Sequence, residues 1–206
     1  TLDLKNSQGL TTEQFNAIPA ESRASIEALD LSSVDVTGFD FSGFTSLKTL
    51  DLKNSQGLTT EQFNAILIEA RASIKTLDLR EVDVTDFDFS GFTSLEILNL
   101  SDTQGLTTLP ENIGEFTSLR TLNLNGNREL TSLPTNITNL SSSCNIDISG
   151  CGISEAVRRN LQEAVEVEGY EGPQFVFSME HFNPQVDNTK TIEELLTDVY
   201  SLAKRE

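Results

Sequence analysis

The chain has 206 residues, of which 32 are acidic and 14 basic, for a formal charge of −18. That excess repels the phosphates of nucleic acid and of anionic lipid surfaces, so neither is expected as a partner. No run of residues approaches the roughly eighteen consecutive apolar positions that a membrane-spanning helix needs.

Seven times along the chain two aliphatic residues flank a single polar one. The pairs are Leu2/Leu4, Leu29/Leu31, Leu50/Leu52, Leu77/Leu79, Leu98/Leu100, Leu122/Leu124 and Ile146/Ile148, with steps of 27, 21, 27, 21, 24 and 24 residues between them. Alternating side chains on a strand point to opposite faces, so each pair marks a short strand with both aliphatics inward. A unit of this size cannot bury its own apolar face, and stacking such units side by side gives a parallel sheet on one side of a solenoid. Thr1 and Leu2 already lie inside a repeat, with neither an initiator Met nor a basic-then-apolar leader before them. The chain therefore reads as a fragment or a processed product.

Residues 1–48 and 49–96 are near-copies: 39 of 48 positions match, and Thr1 to Ile18 recurs unchanged as Thr49 to Ile66. Each copy holds a long and a short unit. In the long unit Thr11-Thr-Glu-Gln14-Phe15 predicts a helix start, with Thr11 and Gln14 as a capping box and Phe15 and Ile18 inward, mirrored by Phe63 and Ile66. The short units leave little room for helix. Phe41, Phe44 and Leu47, then Phe89, Phe92 and Leu95, are expected to fill the core there. The 24-residue units return through loops or helical turns after Pro110 and Pro134, with Ile113 and Ile137 inward.

Past Ile153, Ser154 predicts the N-cap of a helix carrying Val157, Leu161 and Val165. Gly169 to Pro173 reads as a turn and Gln174 to Met179 as an extended segment. A polar linker from Asn183 to Lys190 leads to a second amphipathic helix opened by Thr191 and Glu194. The expected division is 1–153 repeat solenoid, 154–182 capping helix plus extended segment, and 183–206 linker and helix. Cys144 and Cys151 read as small buried residues, with a disulfide as the alternative.

Chemistry of the catalytic kind is not encoded in any recognisable pattern. His181 is the sole histidine and sits in a turn-rich stretch, and there is no nucleophile elbow, phosphate-binding glycine loop or helical metal-ligand pair. Calcium would need six to eight oxygens from a shaped loop, which the aspartates between the leucines do not supply. The sequons at Asn99, Asn136 and Asn139 read as coincidental. No cofactor, metal or small-molecule substrate is expected.

The outward positions are more informative. Between the aliphatic pairs stand Asp3, Asp30, Asp51, Asp78, Asn99, Asn123 and Asp147, followed after the second aliphatic by Lys5, Ser32, Lys53, Arg80, Ser101, Asn125 and Ser149. An acidic-amide stripe beside a partly basic one offers a protein partner charge and hydrogen bonds. Asp30, Asp51, Lys53, Asp78, Arg80, Asn99, Asn123, Asn125 and Asp147 are the candidate contacts. The plain alternative is that Asp and Asn are simply common at such an exposed site.

The pattern in Leu119-Arg-Thr-Leu122-Asn-Leu124, continued to Leu133-Pro134, resembles leucine-rich repeats, and the likeness extends over residues 1–153. It implies an α/β solenoid: a horseshoe with a concave parallel sheet of about seven strands, a mixed helical and loop convex side, and a helical C-terminal cap. A narrower likeness lies in Ile153-Ser154-Glu155, Leu161, Gly169-Tyr170-x-Gly172-Pro173 and Phe177-Ser178-Met179. It is similar to the segment closing the repeat domain of bacterial secreted E3 ubiquitin ligases of the novel-E3-ligase type. That resemblance implies a target-reading domain of an effector secreted into a host cell, with the ligase cysteine elsewhere in a Cys-x-Asp motif. Cys144-Asn145-Ile146 and Cys151-Gly152-Ile153 do not match that motif, and the 24-residue and 27/21 units depart from the shorter repeats usual in those ligases. Three readings follow: a non-catalytic recognition module, a fragment of a ligase whose catalytic part lies beyond Glu206, and a self-associating structural repeat protein.

Overall fold

The computed structural model describes residues 1–66 and 68–177. His181, the polar linker and the amphipathic helix after Thr191 lie outside the described residues. Among the described residues eight short strands form one parallel sheet in chain order. They are β1 Leu2–Asp3, β2 Ala28–Asp30, β3 Thr49–Asp51, β4 Thr76–Asp78, β5 Ile97–Asn99, β6 Thr121–Asn123, β7 Asn145–Asp147 and β8 Gln174–Val176. The register is fixed by the aliphatic pairs: Leu29 pairs with Leu50, Leu50 with Leu77, Leu77 with Leu98 and Leu98 with Leu122. A slip of one residue would turn every leucine outward, so burial on one face holds this alignment.

Seven strands were expected and the sheet has an eighth. Ile146 pairs with Phe175 in β8, so the extended segment at 174 continues the sheet. The helix before it, α5 (Glu155–Val165), is capped by Ser154 and buries Val157, Leu161 and Ala164. Val165, expected inward, is half-buried instead.

The return segments explain how units of three lengths share one sheet. The long units carry two short helices each: α1 (Thr12–Asn16) and α2 (Ala20–Ser25), then α3 (Thr60–Asn64) and α4 (Ile68–Ser73). The capping boxes expected at Thr11/Gln14 form, and their twins form at Thr59/Gln62. The 24-residue units return through 3-10 turns at Ile113–Glu115 and Thr135–Asn139. In the short units phenylalanines replace helix. Phe15 stacks on Phe39 with ring centres 4.2 Å apart, and Phe63 on Phe87 at 4.3 Å.

One buried cation ties each doublet together. Arg71 is 2 % exposed. It donates to the carbonyls of Ile66 (3.0 Å), Asn64 (2.9 Å), Asp88 (3.1 Å) and Ser90 (3.0 Å), and to the Asp88 carboxylate. Its guanidinium also lies 5.5 Å from the Phe92 ring centre. Arg23 makes the equivalent bonds to Ile18, Asn16, Asp40 and Ser42. Arg158 of α5 follows the same spacing, donating to carbonyls five and seven residues back at Ile153 and Cys151. The closing helix thus shares the local arginine bonds of α2 and α4, and β8 follows it as a strand follows each of them.

Cys144 and Cys151 are free and buried, as the first of the two sequence readings has it. Burial pushes their thiols up to about 11 and about 12. Neither thiol is expected to react with an aromatic disulfide reagent at pH 7 in the folded protein, whereas both should react in denaturant. Replacing Arg71 by Met leaves several inward carbonyls without donors. The Arg71→Met variant is expected to lose about 3–5 kcal/mol of stability by urea titration, well above the loss from a surface arginine such as Arg159.

Candidate functional site

The concave face is the outward side of the sheet. Register places Asp3, Asp30, Asp51, Asp78, Asn99, Asn123 and Asp147 in one line across seven strands, ending beside Val176. From Asp30 to Asp147 these residues are half-buried, as are Lys53, Arg80 and Asn125 just past the strands. The candidate contacts are therefore brought together on a single surface.

Each residue of the central line also has a structural task. One side-chain oxygen of every Asp and Asn accepts the backbone N–H two residues on, from Lys5, Ser32, Lys53, Arg80, Ser101, Asn125 and Ser149, at 2.9–3.2 Å. The next residue in each unit, Asn6, Ser33, Asn54, Glu81, Asp102, Gly126 or Gly150, has a positive φ between 52° and 79°. The short side chain thus closes the turn that lets the chain leave the sheet, a role that Asp and Asn share. The plain alternative from the sequence has a specific cause.

This task uses one oxygen and leaves the charge. Arg80 grips Asp78 through Nε (3.0 Å to each oxygen) and Nη2 (2.7 Å), and Lys5 pairs with Asp3 at 3.1 Å. Asp30, Asp51 and Asp147 make no ion pair among the described residues, and neither does Lys53. Burial pushes the Asp51 carboxyl above its ordinary value, with the neighbouring charges of Asp78 and Asp30 adding to the shift. The first outward position of the strands forms a further line of Ala28, Thr49, Thr76, Ile97, Thr121 and Asn145. Ile97 is 41 % exposed, one of two large exposed hydrophobics among the described residues. It was absent from the sequence-based candidates, although its place just before Leu98 marked it as outward. Along the strand entrances Lys48 pairs with Glu27 and Lys75 with Glu96.

Among the described residues no group of three His, Cys, Asp or Glu side chains is placed to hold a metal, and no helix is long and apolar enough to cross a membrane.

The fold is a leucine-rich repeat solenoid, and a family model described as Leucine Rich Repeat matches residues 118–140. No curated protein matches the chain. A solved leucine-rich repeat protein of Leptospira interrogans is similar at 20% identity and a TM-score of 0.48, over 71% of this chain and 49% of that one. The chain spans about half the length of that structure.

Replacing Asp51 by Asn keeps the acceptor for the Lys53 N–H, as Asn99 and Asn123 do in their own turns. A carboxyl whose folded pKa is raised takes up protons more readily folded than unfolded. It costs stability as pH rises through and above the interval between the two values, and nothing below the unfolded value. Asp51→Asn is therefore expected to raise Tm by about 1–3 °C at pH 7 and to leave it unchanged near pH 3, checked by thermal melts across pH.

Proposed function

We propose that this chain is a recognition module that binds another protein through its concave face, using the charge left over after the turns are built. Extended concave sheets are the usual working surface of solenoids. The observation that carries the reading is the coexistence on that face of unpaired carboxylates at Asp30 and Asp51 with the exposed Ile97. The partner that fits presents a cationic side chain near an apolar one. Lys53, Asn99, Asn123, Asn125 and Asp147 would widen the contact, while Asp78 and Arg80 would act as a neutral, pre-ordered pair.

The finer reading is that of the target-recognition part of a larger secreted bacterial effector, with a ubiquitin ligase as the catalytic version. It is supported by the resemblance at 153–179 and by the role of its motif. Tyr170 Oη donates to the Pro173 carbonyl, and a Cβ at Gly172 would meet the Tyr170 hydroxyl and, at 2.6–2.9 Å, its ring carbons. The motif thereby shapes the turn that delivers β8. A downstream helical domain bearing Cys-x-Asp would support the ligase version, and a coding sequence ending near Glu206 would remove it.

Alanine at the aspartates would break turns as well as contacts, so the test uses variants that change charge alone. Capture on immobilised wild-type chain should be compared with Asp30→Asn/Asp51→Asn, with Ile97→Ser, and with Glu115→Gln, which is exposed on a 3-10 turn of the return segments. The concave variants are expected to weaken the captured complex about tenfold or more, and Glu115→Gln to leave it intact. Equal recovery by all of them would remove the concave face from the interaction.

A further inference from the structure

The concave face changes character along the array. Asp30 on β2 and Asp51 on β3 are neighbouring carboxylates without an ion pair among the described residues. Both of the large hydrophobics exposed among the described residues stand farther along, Ile97 on β5 and Val176 on β8. Between the two regions, on β4, Arg80 holds Asp78 in a pair without net charge. The row beside the aspartates holds only Ala28, Thr49 and Thr76, so no long side chain of that row covers the carboxylates.

The main chain of this face is already spoken for. Strands β2 to β7 are hydrogen-bonded on both edges. The N–H two residues past each central Asp or Asn is taken by that side chain. The face therefore recognises with side chains. An extended peptide laid across it would bury its own N–H and C=O groups against a surface without an open sheet edge, whereas an α-helix arrives with those groups bonded.

The spacings agree. Neighbouring strands stand about 4.8 Å apart, and one helical turn rises about 5.4 Å, so a helix lying across the strands sets about one facing side chain over each. From the strand of Asp30 to that of Ile97 is three gaps, about 14 Å, or about ten residues of helix. The two outward rows are about 6.6 Å apart along a strand, within the breadth of one helix about 10 Å across.

We propose that the concave face takes a single amphipathic α-helix of a partner protein lying across β2 to β5, with basic side chains at i and i+4 over Asp30 and Asp51 and an apolar one at i+11 on Ile97. This rests on the concave-face reading above and narrows it to a shape and a spacing. Position i+7 faces the Asp78–Arg80 pair and needs no charge. A longer helix carries a second apolar residue, about eleven positions on, toward Val176.

The test selects binders to the full chain from two phage-displayed libraries. One randomises a single face of an alanine-rich helix, and the other the same number of positions in a linear peptide broken by prolines. The helical library is expected to yield Lys or Arg four positions apart with an apolar residue seven beyond the second. A synthetic helix of that pattern should lose about tenfold or more in affinity when the apolar residue moves to the opposite face, or when a central proline breaks the helix. Selection on Asp30→Asn/Asp51→Asn should drop the basic pair and keep the apolar position, and selection on Ile97→Ser should do the reverse. An empty helical selection, binders from the linear library alone, or helices without that spacing would overturn the proposal. If such binders still weaken with the concave variants, the recognition face stands without the helix. Binders indifferent to those variants would remove both.

Discussion

The structure depends on completion by the neighbour. A three-residue strand with two inward leucines has almost no stability alone, since its backbone groups and its apolar side both need the next unit. Leu29, Leu50, Leu77, Leu98 and Leu122 stand in one register, and each is at most 1 % exposed because it is sandwiched on both sides. Stability is therefore a sum of neighbour terms.

Constant strands with variable returns follow from the same constraint. What must repeat is the pair of leucines, the turn-closing Asp or Asn and the left-handed residue three positions after it. The rest of a unit has only to fill the convex side at whatever length it has. In the doublets two short helices alternate with a phenylalanine cluster, and a buried arginine spans the two. Arg23 and Arg71 suit that place because a guanidinium has five donors in a planar fork and can satisfy several backbone carbonyls while lying over an aromatic ring. In the 24-residue units the returns are of equal length and an internal hydrogen-bond line takes over. Thr103 donates to Asn127 at 2.8 Å, and the Asn127 amide donates to the carbonyls of Leu100 and Leu124 at 2.7 Å.

What the sequence revealed and what it hid follow from this division. Strand positions, register and the inward phenylalanines were legible because leucine spacing carries them without reference to anything distant. The capping boxes were legible because they are local. β8 was read only as extended, since Phe175-Val-Phe177 stands 29 residues after Ile146 and the longer α5 breaks the period. The buried arginines were illegible because a charged residue in a short helix normally faces water, and the carbonyls of Asp40, Ser42, Asp88 and Ser90 that they also satisfy are 17 or 19 residues away on another unit. On the concave face the identity of the candidate residues was readable but their double use was not. The turn bond joins residues only two apart, yet it depends on a backbone conformation that leucine periodicity does not encode.

That double use separates stability from recognition at each position of the central line. Asn99 and Asn123 close their turns with bonds of 3.2 and 3.0 Å, so an amide suffices for the structural task. Asp51 closes an equivalent turn at 2.9 Å, but it carries a charge that burial and two neighbouring carboxylates oppose. Nothing in the turn needs that charge, and the attraction of Arg80, which is itself bonded to Asp78, does not outweigh the burial and the two carboxylates. A residue that meets its structural duty equally well as a neutral amide, and is instead a disfavoured anion, is the usual form in which a fold sets stability aside for a binding surface. By that measure Asp51, rather than Asn99 or Asn123, is the position of the central line where the proposed contact would draw on charge. A partner would supply there the positive charge that the chain itself gives to Asp78 through Arg80.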